Sequence, residues 1–337
     1  MTVRAPSVVA PARAAEPLPV VARIMARPGL AAVAGALTIA FSAILVRLAD
    51  VAPATAAIFR CTYALPVLGA LAVWEDRRFG PRPARDRGLA IPAGVFFAAD
   101  LIFWHYAIAD VGAGLATVLG NLQVVVIPFA AWAVLGERAE RRILLALPLV
   151  CSGVLLISGA LETGAYGEHP LRGVLFGALT GLTYAGFILV LRHGSGDLRR
   201  PAGPLFDATV VATVAAVAAG LALGEADLVP SWPAHGWLLA LALTSQVLGW
   251  LLITVSLPPL PAALTSVTLT IQPVGSVLLG VVLLSEEPTA LQLAGVACIL
   301  AALVSIARRS GSDRRMRPRP KRSPGRVSSA PPKSVGR

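Results

Sequence analysis

Three ionisable side chains interrupt otherwise apolar runs: Arg60, Asp100 and His105. A charge placed in hydrocarbon is costly and marks a functional site with a named partner. Phe97, Asp100 and Trp104 follow one another at helical spacings of 3 and 4, which sets an acid between two aromatic rings on one helix face. A carboxylate with aromatic walls suits a cationic or zwitterionic solute, through charge and cation–π attraction. Arg60 and Asp100 fall at similar depth in the second and third apolar runs, so they are a candidate charge pair, structural or functional. His105 shares its face with Gly94 and Ala98, which favours close packing, and it is also a candidate for a proton or substrate role.

A second set is neutral and polar. Gln123 and Asn121 lie in one apolar run, and Thr265, Thr268, Gln272 and Ser276 recur at spacings of 3, 4 and 4 in another. Polar residues of this kind often hydrogen-bond neighbouring helices, yet a continuous polar stripe through a span also describes a cavity wall. Gln246 and Trp250, one turn apart, repeat the pairing of polar and aromatic groups. Pro273, directly after Gln272, removes one backbone donor and either lines a cavity or kinks its helix.

These residues need a scaffold, and the composition says which kind. Of 337 residues 56% are hydrophobic and 14% charged, with a mean hydropathy of +0.75. A soluble domain carries about 25% charged residues, so the chain is built for lipid. A window of about 20 apolar residues predicts ten spans, near 30–49, 54–74, 88–109, 112–135, 142–160, 171–192, 203–223, 235–257, 261–284 and 288–307. Of 29 Lys and Arg, 26 fall in the two tails and the loops on one side. That asymmetry puts both termini in the cytoplasm. The first span has no preceding cleavage pattern and reads as an uncleaved anchor. Abundant Ala, with far more Arg than Lys, suggests a GC-rich bacterial genome and hence the bacterial cytoplasmic membrane.

LQVVVIPFAAWAVLGER (122–138) and IQPVGSVLLGVVLLSEE (271–287) align without gaps at an offset of 149. Leu115, Val118, Gln123 and Glu137 match Leu264, Val267, Gln272 and Glu286, while Thr117 and Asn121 match Ser266 and Thr270. The chain therefore divides into a basic N-terminal tail (1–29), a five-helix repeat (30–160), a second (171–307) and a basic C-terminal tail (308–337). Five is odd, so the second copy enters the membrane inverted. The expected fold is an all-α integral membrane protein, ten transmembrane helices as two inverted five-helix repeats, an arrangement recurrent in secondary transporters with the substrate site near the midplane.

Other features read as structural. Glu137 and Glu286 each end one span and precede the next, where an acid meets a helix N-terminus. Gly173, Gly177 and Gly181 form a small-residue stripe for helix packing. Cys61, Cys151 and Cys298, in separate spans, read as small buried apolar residues. The C-terminal tail has eleven cations, one acid and five Pro; it is expected to be disordered, with anionic lipid as its partner and no nucleic acid.

The segments DLIFWHYAIADVGAGLATVLGNLQ (100–123), LGER around Glu137 and SQVLGWLLITVSLPPLPAALTSVTLTIQPVGSVLLGVVLLSEEPTALQLAGV (245–296) resemble the drug/metabolite transporter superfamily, in its EamA-type ten-helix form. The resemblance spans about 30–307. It implies export of small metabolites, amino acids or related compounds, through a cavity lined by helices one, three, four, six, eight and nine. Members commonly place Pro after the position of Gln123; here Val124 stands there and Pro128 follows a turn later, so the two halves need not be shaped alike. The expected substrate-binding set is Asp100, Trp104, Asn121, Gln123, Gln246, Trp250, Thr268, Gln272 and Ser276, with Arg60, Asp100 and His105 as proton or charge-pair candidates.

Alternative functions are multidrug or cationic-compound efflux, or a non-transporting scaffold acting through the basic tail. An intramembrane enzyme would need an HExxH pair, a GxSxG elbow or paired aspartates, and a self-powered pump would need a P-loop; the sequence contains none of these. No metal or cofactor is expected, and a small molecule is the expected partner within the bilayer.

Overall fold

The computed structural model describes residues 27–126, 141–194, 199–256 and 262–316. Among the described residues the regular structure is entirely helical. Six helical segments are long and apolar enough to cross a membrane: Pro28–Ala49, Pro53–Phe79, Ala84–Val111, Pro170–Leu191, Ala202–Leu223 and Ala234–Val255. Four shorter apolar helices, Ala113–Val126, Leu144–Ile157, Ile271–Leu284 and Ala290–Ser305, complete the predicted order of ten. A run of 22 residues rises about 33 Å, enough for a hydrocarbon core of about 30 Å. The outward faces carry apolar side chains such as Leu145 and Val282, 75% and 74% exposed, because lipid rather than water surrounds them.

The packing follows the repeat. The second span packs on the seventh, the fourth on the ninth and the fifth on the tenth, each with its mate in the other copy. The third packs on the sixth as the eighth packs on the first. Exchanging every span with the one five places along leaves these pairings unchanged. With five spans per copy, that is the arrangement of two inverted repeats. Small residues permit the closest approaches: a Cβ added to Gly153 would lie 2.7 Å from the Gly295 carbonyl.

Carboxylates tie the two copies together at helix starts. The first N–H groups of a helix have no internal partner, and hydrocarbon offers them none. Glu75, ending the second span, accepts hydrogen bonds from the Ala202 and Gly203 N–H groups that open the seventh, at 2.9 and 2.7 Å. Glu225, after the seventh span, returns the arrangement by accepting the Ala54 N–H of the second at 3.4 Å. Tyr106 holds the same Glu225 carboxylate. Glu286 also caps, but not the helix that follows it, as its position in the sequence suggests. It accepts from Ala113 and Gly114 at the start of the fourth span, the latter at 3.1 Å. Only Gly112 separates the third span from the fourth, and its φ of 87° is one that a side chain would oppose. Glu137, the repeat mate of Glu286, lies outside the described residues.

Among the described residues four spans depart from a plain α-helix; the third has a single turn residue, Leu89, between Ala84–Gly88 and Ala90–Val111. The first is interrupted at Phe41, between Pro28–Ala40 and Ser42–Ala49. In the eighth, Ala242–Gly249 is a π-helix. The fourth breaks after Gly120, where Asn121 and Leu122 make short-range bonds to Val118 and Leu119, a tightened 3₁₀ turn. The Asn121 amide donates to the Thr117 carbonyl at 2.8 Å, so its side chain competes for the helix's own acceptor. Pro273, by contrast, sits within a continuous helix, Ala262–Leu284. The interrupted copy is therefore the one without the proline after its glutamine. Pro128 lies outside the described residues.

The cysteine expectation needs correction. Only Cys61 is buried; Cys151 is exposed and Cys298 half-buried, because the fifth and tenth spans present part of their surface to lipid, where a thiol is tolerated as a small apolar group.

Candidate functional site

Seven spans converge on one central cavity, a concave site between helices of the kind that takes small molecules. The first, third, fourth, sixth, eighth and ninth all contribute, and the second adds Arg60. The interruptions of the helices fall here. Ser42, just past the break in the first span, reaches the wall, and so do Gly120 and Asn121 at the break in the fourth. Such breaks are tolerated at membrane depth where they border a cavity.

Arg60 is 4% exposed, and three features hold it. Its Nε donates to Gln246 Oε1 at 3.1 Å and its Nη2 to Ser245 Oγ at 3.4 Å. Its guanidinium carbon stands 5.6 Å from the Trp104 ring centroid, a cation–π distance. Nη1 is buried without a partner. The expected pairing with Asp100 takes a looser form. Both side chains line the cavity, but among the described residues no ion pair joins them. Nor does a hydrogen bond from any described residue reach the Asp100 carboxylate. The cavity thus presents one guanidinium and one carboxyl group, each with bonding capacity left over.

The aromatic wall exceeds the sequence expectation. Phe97 stacks on Phe187 with centroids 4.4 Å apart, and Trp250 meets Phe187 edge-on at 5.5 Å and Tyr184 at 6.0 Å. Phe97, Tyr184 and Trp250 face the cavity from this cluster, and Trp104 lines it too. Thr180, Tyr184 and Phe187 recur at spacings of 4 and 3 in TGLTYAGF, so the sixth span signals this face beside its glycine stripe. The glycines do pack as expected: a Cβ on Gly177 would lie 2.5 Å from Leu119 Cβ.

The remaining candidates divide. Asp100, Trp104, Asn121, Trp250 and Gln272 line the cavity with Arg60. Gln246 is fully buried behind Arg60. Ser276 donates to the Ala40 carbonyl at 3.0 Å, joining the ninth span to the first. Gln123 lies beside Gly181, with its side-chain oxygen buried and unpartnered. His105 Nδ1 donates to the Pro53 carbonyl at 3.0 Å, which places the ring against the start of the second span; Nε2 is buried without a partner. The Thr268 side chain lies outside the described residues. Among the described residues no cluster of His, Cys, Asp or Glu has the geometry of a metal site.

Comparison with known proteins follows the same division into halves. A family model described as the EamA-like transporter family matches residues 27–159 and again 171–308. A solved crystal structure shares the fold at 16% identity and a TM-score of 0.57, covering 85% of this chain and 99% of that one. No curated protein matches.

Proposed function

Because the chain belongs to the EamA-like transporter family, we propose that it carries a small zwitterionic metabolite, an amino acid or a related amphiphilic compound, out of a bacterial cell. The site is the central cavity, exposed to each side of the membrane in turn as the two inverted repeats rock against one another. One observation carries the reading: Arg60 and Asp100 face a single cavity with no direct ion pair between them. A carboxylate meets the free Nη1 of Arg60, an ammonium group meets Asp100, and an apolar side chain lies against Phe97, Tyr184 and Trp250. Asn121 and Gln272 supply neutral hydrogen bonds that fix orientation without changing the balance of charge.

The distribution of cations supports an orientation with both termini in the cytoplasm, in the cytoplasmic membrane, and with anionic lipid beside the basic tail. Coupling to protons would run through Asp100, the one carboxylate among the described residues of the cavity wall.

A second reading, efflux of cationic compounds, draws on Asp100 and the aromatic cluster alone. Flux into proteoliposomes separates the two readings. Labelled leucine and phenylalanine are expected to move saturably, with competition from other neutral amino acids and little from a quaternary ammonium dye. Saturable dye flux unaffected by amino acids would replace the first reading with the second.

A further inference from the structure

We propose that Gln246, which does not touch the cargo, determines which charge the cavity selects. The inference rests on the zwitterion reading above and deepens it.

Gln246 has no exposed surface and stands outside the cavity wall, yet its Oε1 takes the Arg60 Nε hydrogen at 3.1 Å. Ser245, the preceding residue, takes Nη2 at 3.4 Å. In an α-helix, consecutive side chains diverge by about 100°. Here both serve one guanidinium, and both belong to the π-helical stretch Ala242–Gly249, the kind of local widening that recurs at functional sites. Two of the three guanidinium nitrogens are thereby occupied, and Nη1 is buried without a protein partner.

The chemical identity of the clamp matters more than its grip. Gln246 and Ser245 are neutral, so they fix the direction of Arg60 and leave its positive charge uncompensated. A glutamate at 246 would have nearly the same shape and would form a charge-assisted pair with the same nitrogen. Arg60 would then be neutralised from behind, and Asp100 would be the uncompensated charge on the wall. The wild-type cavity suits a ligand with both charges, whereas the Gln246→Glu cavity suits a cation. Gln246 is a positioning residue whose neutrality specifies the cargo.

The test uses three probes of one shape: leucine, its methyl ester (cation only) and N-acetyl-leucine (anion only). Affinities are read from quenching of tryptophan fluorescence, since Trp104 and Trp250 line the cavity. Wild-type protein is expected to bind leucine most tightly. Q246E is expected to lose N-acetyl-leucine about tenfold or more and to gain the methyl ester by a similar factor. Gln246→Met, which removes the acceptor without adding charge, is expected to weaken leucine without inverting the order. If Q246E is not monodisperse, Ser245→Asp brings a carboxylate to Nη2 and carries the same expectation. Wild type binding leucine while Q246E keeps the wild-type order overturns this inference and leaves the zwitterion reading standing. Wild type binding none of the three overturns both.

Discussion

At the scale of the residue, Asp100 is the most exacting point of the account, because no described residue shares its carboxylate. Replacing it with Asn keeps shape and removes charge. A hydrogen bond to a charged group contributes about 1.5–3 kcal/mol, so Asp100→Asn is expected to weaken leucine binding roughly ten- to a hundredfold and to leave N-acetyl-leucine nearly unchanged. Titration of tryptophan fluorescence with both probes checks this. Equal losses for the two would mean that Asp100 supports the fold rather than the ammonium group. Arg60 and Asp100 were legible in the sequence because charge inside an apolar run has few explanations. Neutral polar residues were not sorted so well. Gln246 and Ser276 satisfy other protein groups, and a span sequence reads the same whether a polar group faces a cavity or a neighbouring helix. Tyr184 and Thr180 stand out less, because aromatic and hydroxyl side chains are ordinary in an apolar span and the glycine stripe beside them marks a packing face.

At the scale of the element, the structure depends on carboxylates that cap the helices of the opposite repeat. Glu286 accepts two N–H groups of the fourth span and Glu75 two of the seventh. Glu286→Ala would leave buried donors unpaired at a cost of about 1–3 kcal/mol, and Glu286→Gln, which keeps one acceptor, is expected to cost less. Thermal unfolding in detergent distinguishes them; equal midpoints for wild type and alanine would remove the capping role. Gly177 makes a parallel case. A Cβ there would lie 2.5 Å from Leu119 Cβ, so Gly177→Val is expected to destabilise the sixth span against the fourth by about 1–3 kcal/mol, lowering the same midpoint and the flux together. Sequence located an acid at the end of a span but not its target. The capped helix start lies 172 or 173 residues away, so it depends on the fold of both repeats. The breaks at Phe41 and Asn121 and the π-helix were equally hidden. Periodicity at 3.6 residues persists through a single irregular turn, while Pro273, the visible helix breaker, stays inside a continuous helix.

At the scale of the whole molecule, the order of spans and the inverted repeat were legible because apolar length and a 149-residue internal register are long-range signals that single residues cannot blur. The position of the cavity followed from that symmetry, and its contents did not, since they depend on where each helix turns. The central claim is that this cavity is reached from both sides of the membrane in turn. Asn121, on the wall at the break in the fourth span, is the place to ask. With Cys61, Cys151 and Cys298 replaced by alanine, Asn121→Cys in oriented vesicles is exposed to a membrane-impermeant thiol reagent from one side and then, separately, from the other. Labelling is expected from either side, slowed in both cases by saturating leucine. Labelling from one side alone, at a rate leucine does not change, would contradict that claim.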